Sequence, residues 1–269
     1  MRRSQLEALA SSEAGGFTGP SCYRYARGML PSLQYAFHPH WPVKLGFRTA
    51  LKFTNPGVYE LIEKMRAVTL AGPRVQIAQL RACREVLERG VPGDFVEFGV
   101  HRGGTAAMLA YALRDTPGRH LHLFDKWGDL PEPTDADGFR KETHRRADRL
   151  DRIAKLHDSL DSAKYAIEEI AKLPKDRVTY YQGWFNDTIK QYPGNPIAYA
   201  SIDTDYYEST VPVLAMCERF ASPKAAFFID DYSAWPGARQ ATHEFLERTK
   251  RSVRLSHLPM GNAIIHFLD

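Results

Sequence analysis

Cysteine is scarce in this chain. Three cysteines occur among 269 residues, and Cys22, Cys83 and Cys217 are far apart. An odd number of scattered cysteines is not the pattern of a disulfide framework, and their spacing matches no zinc-ligand motif. We therefore exclude the disulfide-rich and zinc-knuckle classes, and we expect Cys83 and Cys217 to pack inside helices.

The chain also lacks long apolar runs and a strong excess of charge of either sign. No stretch approaches the ~18 consecutive apolar residues of a membrane span, and the first residues, MRRSQLE, lack the apolar core of a signal peptide. The net charge is +4, and basic residues are mixed with acidic ones except at 141–146. These absences predict a cytoplasmic protein with no membrane span and no nucleic-acid partner.

The N-terminal part of the chain differs in character from the rest. Its first 60 or so residues contain glycines, prolines and aromatics without a regular period, which predicts an irregular arm. Apolar residues at helical spacing between 58 and 89 predict two helices, separated at Gly72-Pro73. We assign 1–90 to an N-terminal arm with helices and 91–269 to the main domain. The arm could cover an active site or contact a second copy in a homo-oligomer, and both alternatives stay open.

From residue 94 onward, strand-like apolar runs alternate with helical ones. The strands are predicted at 94–99, 120–125, 178–181, 196–202, 225–229, 253–257 and 263–267. The helices are predicted at 104–114, 136–172, 209–220 and 238–250. The last two strands are joined by a short hairpin link at 259–262, which makes one of them antiparallel. The sequence therefore predicts an α/β fold with a doubly wound, seven-stranded, mostly parallel sheet.

Acidic residues close two of the predicted strands. Asp203 and Asp205 follow the run 196–202, and Asp230 and Asp231 follow the run 225–229. If these strands are adjacent and parallel, their carboxyl ends lie roughly 5 Å apart at the crevice where open α/β sheets bind ligands. Carboxylates gathered there repel one another unless a proton or cation neutralises them, and oxygen ligands suit Mg²⁺, Mn²⁺ or Ca²⁺. We predict a divalent metal site with Asp203, Asp230 and Asp231; the alternative is that these acids cap helices or contact solvent.

A glycine-rich turn connects the first strand to its helix. Gly99, Gly103 and Gly104 are spaced G-x-x-x-G-G, which is not the dinucleotide fingerprint G-x-G-x-x-G. Glycines there allow a tight turn and the close approach of a ligand to backbone amides. Glu97 lies within the strand, and Asp125 ends the second strand, where an acid can accept both hydroxyls of a ribose. Together they indicate an adenosine-containing cofactor; for Asp125, a helix cap or an ion pair with the adjacent lysine is the alternative.

Four sequence blocks resemble the macrocin O-methyltransferase family. They are GDFVEFGVHRGG at 93–104, GWFNDT at 183–188, DTDYYEST at 203–210 and IDDY at 229–232, in the order of the family. The resemblance implies a class I methyltransferase fold and an enzyme that uses S-adenosylmethionine and Mg²⁺ to methylate a sugar hydroxyl. It leaves the N-terminal arm uncovered.

The resemblance also implies roles for individual residues. Asp203, Asp230 and Asp231 would bind the metal, Asp205 would be the general base, and Trp184 and Phe185 would border the adenosine. The cofactor-binding residues implied are Glu97, Gly99, Val100, His101, Arg102, Gly103, Gly104, Thr105, Asp125, Trp184 and Phe185. The chain departs from the family pattern at His101, at Lys126-Trp127 and at 69–74. At these positions the contacts with the acceptor and the cofactor can differ from those of the family.

The expected chemistry is methyl transfer to a hydroxyl of a small molecule or glycan. A metal that contacts neighbouring hydroxyls lowers the pKa of the attacking one. Asp205 lies two residues from Asp203, so in an extended segment it projects to the same side and could accept the proton. The alternative is that Asp205 is a fourth or outer-shell ligand.

Other acceptor contacts and other functions stay open. Tyr206, Tyr207, Trp235 and His243 could line an acceptor pocket or belong to the core. Because Asp203 and Asp205 form a D-x-D sequence, a metal-dependent glycosyltransferase is a competing hypothesis. A non-catalytic scaffold that binds a partner through the arm is another.

Overall fold

The structure is a computed structural model that describes residues 43–66, 68–128, 134–137 and 159–269. The chain divides into two units between Glu60 and Leu61, and the second unit, Leu61–Asp269, is compact. The predicted arm before residue 43, the basic cluster at 141–146, Cys22 and most of the predicted helical region 136–172 lie outside the described residues. Residues 61–90, which the sequence analysis grouped with the arm, belong to the second unit.

The first helices are α1 (Val43–Thr54), α2 (Pro56–Met65) and α3 (Pro73–Glu88). Prolines stand at the first position of α2 and of α3, where a missing backbone N–H costs no helical hydrogen bond. The predicted pair of helices on either side of Gly72-Pro73 is confirmed as α2 and α3.

Seven strands form one sheet. They are β1 (Asp94–Phe98), β2 (Leu121–Asp125), β3 (Val178–Gln182), β4 (Ile197–Ile202), β5 (Ala221–Ile229), β6 (Val253–His257) and β7 (Ala263–Phe267). Their order is β3-β2-β1-β4-β5-β7-β6. The first five run parallel, and β7 is antiparallel to both β5 and β6. The predicted seven-stranded, mostly parallel sheet with a terminal hairpin is confirmed.

The remaining helices connect the strands. They are α4 (Ala106–Leu113), α5 (Leu160–Lys164) with a π-helical turn at Tyr165–Ile170, α6 (Phe185–Thr188), α7 (Tyr207–Phe220) and α8 (Pro236–Arg248). Short 3₁₀ turns occur at Asp135–Asp137, Lys175–Arg177 and Ile189–Gln191. Strand β5 starts four residues before its predicted start. Its first half is irregular, with Lys224 at φ 64° and a shift of register against β4, so only its regular half shows the apolar pattern.

The sheet is buried on both faces. Alternate side chains such as Phe98, Phe227 and Ile265 form one core cluster with residues of α7 and α8. Side chains on the opposite face of the sheet, including those of Tyr199 and Ser201, contact α3. Cys83 and Cys217 are fully buried free thiols in α3 and α7, as predicted. None of the helices in the described part of the chain is long and apolar enough to cross a bilayer.

Candidate active site

The carboxyl ends of β1, β4 and β5 lie side by side. Ile202 of β4 pairs with Ile229 of β5 in parallel register, which confirms that the two acid-ending strands are neighbours. The pairing continues beyond the strands, because the N–H of Asp203 donates to the carbonyl of Phe98 at 2.9 Å and that of Asp230 to the carbonyl of Ile202 at 2.9 Å. Both acidic segments therefore start at the same edge of the sheet.

Three carboxylates meet at this edge. Asp203, Asp205 and Asp231 each present an oxygen, and these oxygens lie within 4.8 Å of one another. We call these three residues the acidic cluster. The fourth acid, Asp230, is held differently: the side-chain amide of Asn262 donates to its Oδ1 at 2.9 Å and to its carbonyl at 2.7 Å. The acidic cluster thus contains two of the three predicted metal ligands, Asp203 and Asp231, and it has Asp205 in place of the third, Asp230.

Asp205 reaches the cluster through a turn. Its φ is 57°, in the left-handed region that aspartate tolerates better than most residues. Its N–H donates to Oδ2 of Asp231 at 3.3 Å. The sequence argument that an extended segment places Asp205 beside Asp203 is wrong, because the chain turns here to enter α7. The turn nevertheless brings the two carboxylates together.

The electrostatics of the cluster require a neutralising partner. Burial raises the pKa of Asp203, Asp205 and Asp231 well above its ordinary value, and repulsion from neighbouring carboxylates raises each further. Burial also raises the pKa of Asp230 to about 6. Carboxylates gathered in this way hold protons or a cation, and an all-oxygen donor set fits a hard divalent cation such as Mg²⁺.

The glycines of the turn after β1 are required by protein packing. A Cβ on Gly99, whose φ is 83°, would lie 1.7 Å from the carbonyl oxygen of Asp203. A Cβ on Gly103 would lie 2.9 Å from Ala163, and one on Gly104 would lie 2.2 Å from the Thr69 side chain. From the sequence, these glycines were expected to allow a tight turn and the close approach of a ligand. In the structure they let neighbouring segments close on the turn, and Gly99 places the turn directly against the acidic cluster.

Asp125 binds the backbone of the same turn. Its Oδ2 accepts from the N–H groups of Val100 at 2.6 Å and His101 at 2.7 Å, and its Oδ1 accepts from that of Trp127 at 2.7 Å. The two amides of the turn thus have a protein partner. Since each carboxylate oxygen accepts about two hydrogen bonds, one position is left on Oδ1. Accepting both hydroxyls of a ribose would need Asp125 to release one of these three amides.

Glu97 is a buried acid beneath this turn. Its side chain has no exposed surface, and burial raises its pKa to about 8, although the nearby hydroxyls of Thr105 and Ser201 lower it. Among the described residues its Oε2 has no hydrogen-bond partner. A buried carboxylate oxygen without a donor is costly, so this site fits a ligand that carries a cationic or hydrogen-bonding group.

The two predicted adenosine neighbours have different surroundings. Phe185 packs edge-on against Phe98 with ring centroids 5.6 Å apart and borders the core cluster. Trp184 keeps 47% of its surface exposed, and Nζ of Lys126 lies 4.1 Å from the centroid of its ring. Trp184 follows β3 and Lys126 follows β2, so the pair lies at the carboxyl edge of the sheet. Trp184 is therefore accessible to a ligand, whereas Phe185 contributes to the core.

The structure adds a residue that the sequence did not indicate. Asp137 is buried, its Oδ1 accepts from the N–H of Tyr207 at the start of α7 at 2.6 Å, and its charge contributes to the raised pKa of Asp205. Nothing in the acid-rich segment around Asp137 distinguishes it. Of the candidate acceptor contacts, Tyr206 and Trp235 are buried against each other, and His243 is exposed and accepts or donates a hydrogen bond with Tyr232 at 2.8 Å.

The fold is similar to that of O-methyltransferases of known structure. The O-methyltransferase NovP is similar over 81% of this chain and 98% of its own, with a TM-score of 0.68 and 21% identity. The calicheamicin methyltransferase CalS11 is similar over 96% of each chain, with a TM-score of 0.57 and 21% identity. These likenesses define the fold as that of class I O-methyltransferases.

Sequence similarity gives the family. The family model for macrocin O-methyltransferase (TylF) matches residues 64–260. The chain belongs to the macrocin O-methyltransferase family, and the resemblance found in its motifs is confirmed.

Two characterised relatives are similar over about two thirds of this chain. One is 8-demethyl-8-(2,3-dimethoxy-alpha-L-rhamnosyl)-tetracenomycin-C 4'-O-methyltransferase of Streptomyces olivaceus, 33% identical over 68% of this chain and 69% of the relative. The other is mycinamicin III 3''-O-methyltransferase of Micromonospora griseorubida, 31% identical over 68% of this chain and 71% of the relative. The chain is therefore an enzyme of the O-methyltransferase class. Its predicted cytoplasmic location, its oligomeric state and the absence of a nucleic-acid partner stay predictions.

Proposed function

We propose that this protein is an S-adenosylmethionine-dependent, Mg²⁺-dependent O-methyltransferase that methylates a hydroxyl of a sugar or a glycosylated natural product. Membership of the family supports methyl transfer. One relative is named for 4'-O-methylation of a rhamnosyl-tetracenomycin and the other for 3''-O-methylation of mycinamicin III. The observation that carries the proposal is the contact between the glycine turn and the acidic cluster at Gly99 and Asp203. It supports one crevice that serves both a cofactor and a cation.

Asp203 and Asp231 are the metal ligands that sequence and structure both favour. We keep Asp230 as the third, since it follows β5 at the same edge and its Oδ2 is not used by Asn262. Asp205 is the alternative third ligand because its carboxylate lies within the acidic cluster. The raised pKa values of these acids support a cation here, since a bound cation offsets the repulsion that protons otherwise offset.

Glu97, Asp125 and Trp184 are the side chains best placed to hold the cofactor. Glu97 offers a buried carboxylate oxygen, Asp125 offers one free position on Oδ1, and Trp184 offers an exposed ring for stacking. The residues Gly99, Val100, His101, Arg102, Gly103, Gly104 and Thr105 form the turn itself. The backbone amides of Val100 and His101 donate to Asp125, so they are not free to bind the cofactor. The turn would therefore contribute to cofactor binding through its shape.

The residues of the crevice account for the two tasks of the reaction, which are alignment and proton removal. When bound, the cation makes a sugar hydroxyl more acidic, and S-adenosylmethionine supplies a methyl group that leaves sulfur for that oxygen. The carboxylate of Asp205 takes the hydroxyl proton. This carboxylate lies within the acidic cluster, so it is close to a hydroxyl that a cation bound there would contact.

Calorimetric titration with S-adenosylhomocysteine, with Mg²⁺ and then with chelator, tests the cofactor. We expect binding in both conditions, followed by methyl transfer from S-adenosylmethionine to L-rhamnosides only when Mg²⁺ is present. A wild-type protein that does not bind S-adenosylhomocysteine contradicts the proposal. Heat on addition of a nucleotide-sugar with Mn²⁺ would instead support the glycosyltransferase hypothesis.

The roles of Asp205 and Asp230 are separated by two matched variants, Asp205→Asn and Asp230→Asn. If Asp205 is the base and Asp230 a ligand, Asp205→Asn binds Mg²⁺ normally but loses at least ~100-fold in kcat. Asp230→Asn then weakens Mg²⁺ binding. The reverse pattern of Mg²⁺ affinities would make Asp205 the ligand.

A further inference from the structure

A chain of buried hydrogen bonds leads from helix α3 to Glu97. The hydroxyl of Tyr199 donates to Oε1 of Gln79, and Nε2 of Gln79 donates to Oγ of Ser201 at 2.8 Å. The Ser201 hydroxyl in turn donates to Oε1 of Glu97 at 3.3 Å. All four side chains have no exposed surface. We call these four residues the relay.

The relay has a fixed direction. An amide oxygen only accepts and an amide nitrogen only donates. Gln79 therefore accepts a hydrogen bond from the Tyr199 hydroxyl and donates one to the Ser201 oxygen. The Ser201 oxygen, having accepted from Gln79, directs its own hydrogen to Glu97. Each donor thus points toward the carboxylate, and hydrogen bonds aligned in this way strengthen one another. The relay therefore holds one oxygen of Glu97 and supports its negative charge.

The other oxygen of Glu97 is a buried acceptor without a donor. Among the described residues Oε2 has no hydrogen-bond partner, and it is buried. Glu97 is in β1, which leads directly into the glycine turn. With Oε1 held by Ser201, Oε2 is left for the positively charged group of a molecule that binds at this turn.

We infer that Gln79 is a positioning residue that orients Glu97 to bind the ammonium group of the cofactor's amino-acid moiety. The inference rests on the proposed function, since it takes the cofactor to be S-adenosylmethionine. Gln79 acts through Ser201 and does not itself contact the cofactor. Its role is to prevent the Ser201 hydroxyl and the Glu97 carboxylate from rotating away.

Two ligands separate this role from a general effect on the fold. S-adenosylhomocysteine carries the ammonium group, whereas 5′-methylthioadenosine has the same adenosine and thioether but no amino acid. In Gln79→Leu and Ser201→Ala we expect the calorimetric Kd of S-adenosylhomocysteine to rise about tenfold, which corresponds to about 1.4 kcal/mol. The Kd of 5′-methylthioadenosine should stay within twofold of the wild-type value.

Ser222→Ala is the matched control. Ser222 is also buried and uses its hydroxyl in one hydrogen bond, to the carbonyl of Pro92 at 2.6 Å, but it is not part of the relay. Neither ligand should bind this variant differently. If Gln79→Leu does not fold, Tyr199→Phe removes only the first donor of the relay and should weaken S-adenosylhomocysteine about threefold.

The outcomes distinguish the inference from the function on which it rests. Equal weakening of both ligands, or unchanged binding of S-adenosylhomocysteine in both Gln79→Leu and Ser201→Ala, overturns the positioning role while the cofactor assignment stands. A wild-type protein that binds neither ligand overturns both.

Discussion

Replacing Asp205 by asparagine should stabilise the metal-free protein. The three carboxylate oxygens of the acidic cluster lie within 4.8 Å of one another, and two unit charges at that distance repel by about 3.5 kcal/mol at an effective dielectric constant of about 20. Protonating one aspartate at pH 7.5 costs about 5 kcal/mol, since its ordinary pKa is about 3.9. The least costly metal-free state has one protonated acid and one repelling pair, at about 8.5 kcal/mol.

The variant keeps only one repelling pair, at about 3.5 kcal/mol, so relief of repulsion within the acidic cluster is about 5 kcal/mol. Loss of the hydrogen bond that Asp205 and Asp231 share offsets part of it, and we expect a net gain of about 1–3 kcal/mol. Asparagine is the suitable replacement because it has the same size and tolerates the φ of 57°. For a protein of this size the gain corresponds to a Tm rise of about 3–10 °C.

The assay is thermal unfolding in chelator at pH 7.5 and at pH 5. Since the folded-state pKa values are raised, the cluster destabilises the fold progressively as pH rises above about 4, and the advantage of the variant should shrink at pH 5. Asp115→Asn is the control, because its side chain is 82% exposed and surface changes stay within about 0.5 kcal/mol. An Asp205→Asn protein that melts at or below the wild-type temperature in chelator at pH 7.5 would refute the repulsion argument.

Three further predictions concern the turn and the cofactor. Gly99→Ala should cost several kcal/mol because its Cβ would meet the carbonyl oxygen of Asp203, whereas Gly118→Ala, at a similar φ of 80° with nothing within 4 Å, should cost only about 1 kcal/mol; equal Tm losses would contradict the packing role. The affinity for S-adenosylhomocysteine should rise from pH 6.5 to pH 8.5, because the pKa of Glu97 is about 8 and its ionised form binds the ammonium group; Glu97→Gln should bind weakly with no such rise, and a persisting rise would exclude Glu97 as its source. Trp184→Ala should weaken S-adenosylhomocysteine by about 1–3 kcal/mol of stacking without lowering the Tm, since the ring is 47% exposed; unchanged affinity in calorimetry would remove Trp184 from the site.

Patterns that repeat along the chain were enough to predict the sheet. Apolar runs separated by helical segments predicted seven strands, and the observed order β3-β2-β1-β4-β5-β7-β6 contains all of them. Acids that directly follow β4 and β5 were predicted to meet at one edge, and they do, because parallel neighbours end together. Motif blocks then predicted the family that the comparison found.

The detail of the site depended on contacts between residues far apart in sequence. Gly99 is needed because of the backbone of Asp203, and the ribose candidate Asp125 already binds amides 24 and 25 residues away. The left-handed turn at Asp205 cannot be predicted from the hydrophobic periodicity of the sequence. This turn brings the carboxylate of Asp205 close to those of Asp203 and Asp231.

The sequence by itself determined which segments form strands and which residue types close them, because both follow from local periodicity and from the common ending of parallel strands. Only the tertiary structure decided which polar side chains form hydrogen bonds with one another in the buried part of the site. Gln79 and Ser201 are 122 positions apart and Asp137 and Tyr207 are 70 apart, so their hydrogen bonds exist only after the helices have packed on the sheet and excluded water from these groups.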